Sequence, residues 1–322
     1  MKFTEKQLQA FAAPLSDTEA DRCKNAIRMI RDAMQTIGYT DDGKEIRQFE
    51  ADTWAFALDL RTSSSGKKIT LLVQGSYANN TNIRSQSDVD VAVILESTFI
   101  PIYRAGITAK DYHFADSSFS VQELKDEVER ALNEKFKSGI ERHDKSIKVS
   151  GNSYRVDADV VPAYRNRDYS NDFRIDPNNY IGGIEIRPDS GGRIINYPEQ
   201  HIRNGRKKNL DTNHAYKKSV RIIKNIKEIM IQNSITSASD VCSFQLESLL
   251  WNIPNDRYNE FNSLRFVFNE TLKYLINDIN SLNKYMEANG VKKLFSDTNL
   301  VEKYKRFIND IKSFYEYDIN EN

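Results

Sequence analysis

The chain has 322 residues, enough for one large domain or for two that share a core. Lysine plus arginine and aspartate plus glutamate each number 46, and this zero net charge argues against a constitutive, charge-driven grip on long nucleic acid. The opening residues MKFTEKQLQAF hold no apolar leader, no apolar run approaches the ~18 residues of a membrane span, and Cys23 and Cys242 stand far apart. A cytoplasmic chain is expected, without a disulfide framework or a cysteine-rich zinc site.

Taken in order, residues 16–38 read as a long helix opened by a capping box, Ser16 with Glu19, with Cys23, Ile27, Ile30, Met34 and Ile37 on one buried stripe. A second helical stretch is predicted over 46–60, around Phe49, Trp54, Phe56 and Leu58. After the break at 63–66 the apolar run 69–74 reads as a strand, followed by Gly75-Ser76, a polar stretch with helix potential and a further strand over 88–95. Residues 121–136 form an amphipathic helix carrying Leu124, Val128, Leu132 and Phe136. Two strands follow, 145–149 and 154–161, joined by a turn at Gly151-Asn152. The polar text from 165 to 210 reads as loop-rich. Beyond it the pattern is helical, near 212–232, 243–252, 258–286 and 299–316. The order implies an α+β chain of two lobes around a cleft, divided into residues 1–205 and 206–322.

Three short motifs carry chemistry. In Ser87-Asp88-Val89-Asp90 the two carboxylates fall on one strand face while Val89 and Val91 turn to the other. Carboxylates so placed repel unless a cation neutralises them, and magnesium does so through hard oxygen ligands. Alone, an Asp-x-Asp pair reads equally well as a solvated strand end. Upstream lies Gly75-Ser76, where a residue without a side chain lets backbone come close to a phosphate and the hydroxyl adds a donor. In Val156-Asp157-Ala158-Asp159-Val160-Val161-Pro162 a further pair of acids shares one face. A third carboxylate on a neighbouring strand is what a two-metal centre needs, and it is placed to accept a hydroxyl proton.

Together these motifs resemble the signature of the polymerase-β-like nucleotidyltransferases. GSYANNTNIRSQSDVDVAV and DADVVPAY are more narrowly similar to the branch holding 2′-5′ oligoadenylate synthetase and cyclic GMP–AMP synthase. The best likeness is to the cGAS/DncV-like nucleotidyltransferases (CD-NTases) of bacterial CBASS anti-phage defence, and it continues through INYPEQHIRNGRKKNLDTNHAYKKSVRIIKNIK and CSFQLESLLWNIP.

That resemblance implies a nucleotidyltransferase core of mixed sheet and flanking helices, with a long N-terminal helix, followed by a C-terminal helical bundle. Asp88, Asp90 and Asp159 would hold two Mg²⁺ ions, with Mn²⁺ able to take their place. Asp159 is chosen over Asp157 because the family's third acid stands three residues before its proline. Gly75 and Ser76 would meet NTP phosphates, as would Lys217 or Lys218 and Ser243, with Phe244 against a base. The residue types allow blander roles: Lys217, Lys218, Arg221 and Lys224 as a solvated helix face, Ser243 as a helix cap, Phe244 as core. Base choice is expected among residues 164–167.

The activity implied is condensation of NTPs into a cyclic di- or oligonucleotide messenger of anti-phage signalling, read by a downstream effector. The alternatives are a poly(A)- or CCA-adding or antibiotic-modifying transferase, and a non-catalytic nucleotide sensor. The four histidines form no zinc cluster like that of the animal DNA sensor, so double-stranded DNA is not an expected activator. The basic run Arg203-Asn204-Gly205-Arg206-Lys207-Lys208 leaves room for RNA or another polyanion.

Overall fold

A periodic stripe of Ile27, Ile30 and Met34 makes the helix Asp17–Thr36, which buries all three and stops just before Gly38. The computed structural model describes residues 1–14, 16–83, 88–116, 123–152 and 156–318. The side chains of Asp17, Glu19, Ala20, Arg22 and Cys23 lie outside that description, and with them the expected Ser16/Glu19 capping pair and Cys23's place on the stripe. Among the described residues no helix is long and apolar enough to cross a membrane.

The chain divides into two compact units. The first comprises Ser16–Ala78 and Ser87–Glu199, and the second Met1–Leu15, Asn79–Gln86 and Gln200–Asn322. The boundary expected at residue 205 thus falls at 199, and two earlier segments belong to the helical unit.

The first unit is built on a mixed sheet. From one edge its strands run Ile194–Asn196, Ile181–Ile186, Ala158–Tyr169, Val89–Tyr103, Lys68–Gln74, Phe56–Thr62 and Tyr39–Thr40. Only Val89–Tyr103 and Ala158–Tyr169 pair in parallel there, among the described strands. Parallel neighbours need a long crossover, and Glu123–Phe136 lies in it, burying Leu124, Val128, Ala131 and Leu132 and packing on Asp17–Thr36. The hairpin Ile140–Arg142 and Ile147–Val149 joins the start of Ala158–Tyr169, with Ile147 opposite Val160 and Val149 opposite Ala158.

Two expectations fail here for physical reasons. Residues 46–60 are not helical: Arg47–Gln48 pairs antiparallel with Phe56–Thr62, in which Leu58, Leu60 and Thr62 alternate into the interior. Trp54, Phe56 and Leu58 stand two apart in the sequence, the period of a strand, and Leu60 and Thr62 continue it. Nor is 165–210 mainly loop. The strand from Ala158 runs on to Tyr169, two more strands follow, and Pro198–Asp211 is a helix. Polar residues on the first of these strands are paired rather than solvated: Arg165 bridges Glu96 at 2.6 Å and Glu199 at 3.0 Å, and buried Asn166 donates to the Ile100 carbonyl at 3.0 Å. Arg167 lies between the rings of Phe99 and Tyr180. The residues nominated for base choice, 164–167, are therefore engaged inside this unit, and Tyr164 is buried as well.

The second unit is helical, with Ala215–Gln232, Ser243–Trp251, Leu264–Asn277 and Thr298–Phe314 around one apolar core. The helix Glu5–Ala12 packs on Ala215–Gln232, opened by a Thr4/Gln7 capping box. Buried in this unit, Glu247 accepts from the Thr81 hydroxyl at 2.6 Å, pairs with His201 at 2.9 Å and lies 3.6 Å from the Lys224 ammonium. Lys224 also donates to the Thr81 carbonyl at 2.9 Å, and Arg221 to the carbonyls of Ala12 and Asn80. Arg221 and Lys224 are therefore interior groups that secure Asn80 and Thr81, not a solvated face. Burial works to raise the Glu247 carboxyl, but His201, Lys224 and Thr81 together hold it at about 2. Removing one partner of a buried charge pair strands the other. Lys224→Met is expected to lower unfolding free energy by about 3 kcal/mol; a urea midpoint unchanged from the native chain would show the pair to be dispensable.

Candidate active site

The strand Val89–Tyr103 places Asp90 directly opposite Asp159 in the parallel ladder and opposite Gln74 in the antiparallel one. The ladder extends one step beyond the strand start, through the Val89 amide to the Asp157 carbonyl at 2.9 Å. Val89, Val91 and Val160 are fully buried, and by the alternation of a strand they lie on the face away from Asp90 and Asp159. The apolar sequence pattern thus drives the acids to one spot: burying the valines leaves the carboxylates nowhere else to point.

Gly75 follows Gln74 at the end of the neighbouring strand and opens the short helix Gly75–Ala78. Its φ is 71°, in the left-handed region, and a Cβ added there would lie 2.3 Å from Asp90 Oδ2. Both facts demand glycine. Ser76 is half-buried next to it.

Electrostatics mark this corner as unusual. Burial first, and then the charges of Asp159 and Asp88, push the Asp90 carboxyl up to about 7. Asp159 has a weak contact from the Ser146 hydroxyl at 3.4 Å. Lys148, opposite Asp159 on the hairpin strand, brings its ammonium to 3.0 Å from Asp157 and 3.7 Å from Asp88. Asp157 also accepts from the Gly151 amide at 2.5 Å. The sequence reading did not single out Lys148. Its strand was foreseen, but the register that carries it to the acids was not.

Among the described residues no group of three or more His, Cys, Asp or Glu side chains is gathered closely enough to hold a metal ion by itself. Like charges repel, and Asp88 is turned toward Lys148. The donor chemistry nonetheless suits a hard divalent cation. Carboxylates come from two adjacent strands, and one of them carries a charge that its neighbours disfavour and a cation would relieve.

The remaining nominated residues belong to the helical unit. Lys217 is buried, Lys218 exposed and Ser243 half-buried. Ser243 is the first residue of its helix, with Cys242 in the capping position, so it is not the cap. Phe244 is 43% exposed beside the His201 ring, which rules out the core role. The run Arg203–Lys208 lies within the helix Pro198–Asp211, where Lys207 pairs with Asp211 and Lys208 donates to the Ile253 carbonyl.

This sheet and its paired acids fit the nucleotidyltransferase class that the sequence resembles. Residues 203–316 match the cGAS/DncV-like nucleotidyltransferase C-terminal helical domain family. The chain is 44% identical over 318 residues to the cyclic GMP-AMP synthase CdnE03 of Staphylococcus schleiferi, covering 98% of each. It is 35% identical to the cyclic dipyrimidine nucleotide synthase CdnE of Cecembia lonarensis, over 86% of this chain and 84% of that one. It superposes with TM-score 0.73 at 27% identity on the Elizabethkingia meningoseptica CdnE cyclic dinucleotide synthase, solved with GTP and Apcpp, covering 97% and 99% of the two chains. The chain belongs to the cGAS/DncV-like nucleotidyltransferases and is a cyclic nucleotide synthase of their CdnE type. These relatives are cyclic nucleotide synthases.

Gly75→Ala is expected to cut turnover, followed as pyrophosphate release, by about 100-fold, because it displaces the Asp90 carboxylate and strains the turn. Retention of most activity would show that the close approach does not matter. Asp90→Asn should instead stabilise the metal-free fold. Its carboxyl goes from an ordinary 3.8 to about 7 on folding, so the cost of its charge appears as pH rises between those values. At pH 8 the gain in urea unfolding should be about 2–4 kcal/mol, fading by pH 4; a variant no more stable at pH 8 would contradict the repulsion.

Proposed function

We propose that the chain condenses NTPs into a cyclic di- or oligonucleotide at the corner formed by Gly75, Asp88, Asp90 and Asp159. The observation that supports this most directly is the register that sets Asp90 beside Asp159, with Gly75 against the Asp90 carboxylate. Asp88, Asp90 and Asp159 would hold two magnesium ions, or manganese in their place. When bound, these ions neutralise the triphosphate and acidify the attacking hydroxyl.

The chain's own groups do the rest. Gly75 lets backbone approach the donor triphosphate, and the Ser76 hydroxyl donates to a phosphate oxygen. Asp159, with Ser146 at its side, accepts the proton of an acceptor ribose hydroxyl. That oxygen attacks the donor α-phosphorus; the α–β phosphoanhydride bond breaks and pyrophosphate leaves. Repeating the step on the linear product's own 5′-triphosphate closes the ring with loss of a second pyrophosphate, and repeating it with a further NTP first lengthens the chain. From the helical unit, Lys217 or Lys218 and Ser243 are assigned to phosphates and Phe244 to a base face, where its exposure is an asset.

Relatives differ in the bases they join, so product identity is a property of each chain. Similarity to a cyclic GMP-AMP synthase makes ATP with GTP the first pair to test. The physiological reading follows the family: a cytoplasmic enzyme of CBASS anti-phage defence, paired with an effector that senses its product. A polyanion activator such as RNA would meet Arg203 and Lys207, which are exposed on one helix.

Incubation with all four NTPs and Mg²⁺ or Mn²⁺ should give a phosphatase-resistant product whose mass identifies a ring. Asp88→Asn combined with Asp90→Asn should abolish it at an undiminished melting temperature. Near-native synthesis by that folded double variant would refute the assignment.

A further inference from the structure

Four carboxylates, Asp88, Asp90, Asp157 and Asp159, stand on two adjacent strand segments, yet only three are needed for the proposed centre. The fourth is not arranged like the others. One oxygen of Asp157 accepts from the Gly151 amide at 2.5 Å, which ties it to the turn before its strand. A Cβ on Gly151 would lie 2.8 Å from that same oxygen, so the turn closes directly onto it. The other oxygen faces the Lys148 ammonium at 3.0 Å, and the same ammonium lies 3.7 Å from Asp88. Lys148 is cross-strand from Asp159, so its side chain rises on the acidic face and not on the apolar one. A flexible four-carbon stem carrying a point charge suits sharing between two carboxylates at similar distances, 3.0 and 3.7 Å, from it.

We propose that Lys148 is a built-in counter-ion of the acidic centre, competing with the divalent cation for Asp88, and that Asp157 is the dock to which it retires. This rests on the assignment of Asp88, Asp90 and Asp159 as metal ligands and extends it to two further residues. Lys148 neutralises Asp88 while the centre is without its ion. When Asp88 turns to a divalent cation, the ammonium settles fully on Asp157, and the repulsion between the two cations is reduced. Asp157 is then a positioning residue acting through Lys148 and does not touch metal. The arrangement sets metal affinity at a level where nucleotide-borne cations, rather than free ones, fill the centre.

The test is Mn²⁺ binding to the full-length, nucleotide-free protein, read from the electron paramagnetic resonance signal of free Mn²⁺. Lys148→Met should tighten binding about tenfold, since one unit charge near a divalent ion is removed from a partly screened site. Lys148→Arg should bind as the native chain does. Asp157→Asn should weaken binding about threefold to tenfold, because the ammonium then has only Asp88. In the Lys148→Met background the same Asp157→Asn change should have a much smaller effect, the residual long-range influence of one screened charge. Equal weakening in both backgrounds would make Asp157 a metal ligand and overturn the inference, as would a Lys148→Met variant that binds no more tightly. If the native chain takes up no Mn²⁺ that Asp88→Asn with Asp90→Asn abolishes, the metal assignment itself fails and this inference with it. Melting curves on each variant separate loss of fold from loss of binding.

Discussion

Repulsion among carboxylates that a hydrophobic core forces together is the constraint behind the rest of this site. Valines on the buried face of two parallel strands hold Asp90 and Asp159 in register, and the burial of those valines outweighs the mutual dislike of the acids. The fold thus stores an unfavourable electrostatic arrangement that a bound cation, or at lower pH a proton on Asp90, relieves. Gly75 enters the same logic. A side chain there would collide with the Asp90 carboxylate, so the turn that approaches phosphate and the acid that answers to metal are one packed unit.

The helical unit solves the opposite problem. Glu247 is buried without repulsion, because His201, Lys224 and Thr81 surround it with donors and positive charge. A buried ion pair of this kind adds little net stability compared with apolar side chains, yet it tolerates few alternatives to its own geometry. Here it anchors Thr81, which lies between the Gly75-Ser76 turn and the Asp88/Asp90 pair.

How far the site could be read from sequence follows from the range of each signal. Asp88-Val89-Asp90 and Asp157-Ala158-Asp159 were legible because a two-residue period shows within a few positions. The helices at Asp17–Thr36 and Ala215–Gln232 were legible for the same reason at a longer period. The helix expected over 46–60 fails because Trp54, Phe56, Leu58 and Leu60 stand two apart, a strand period that outweighs the mere density of bulky residues. Arg165 and Asn166 looked like loop because their partners, Glu96, Glu199 and the Ile100 carbonyl, are distant in sequence. Lys224 looked solvated because nothing near it announces Glu247. Lys148 was invisible because its role depends on register, which no local pattern encodes.

The chain's excursion after Ala78 bears on modularity. Ala78 still accepts from the Trp54 amide within the sheet unit, whereas Asn80 and Thr81 are held by Arg221 and Lys224 of the helical one. The family-matched segment 203–316 is consequently not self-sufficient: excised, it would leave Glu247 without the Thr81 hydroxyl and Lys224 without a carbonyl to cap its charge. Neither unit can be freed by a single cut. Recombination between relatives that swapped only the C-terminal part would exchange one half of a matched set, so the loop and the helices that grip it must be inherited together.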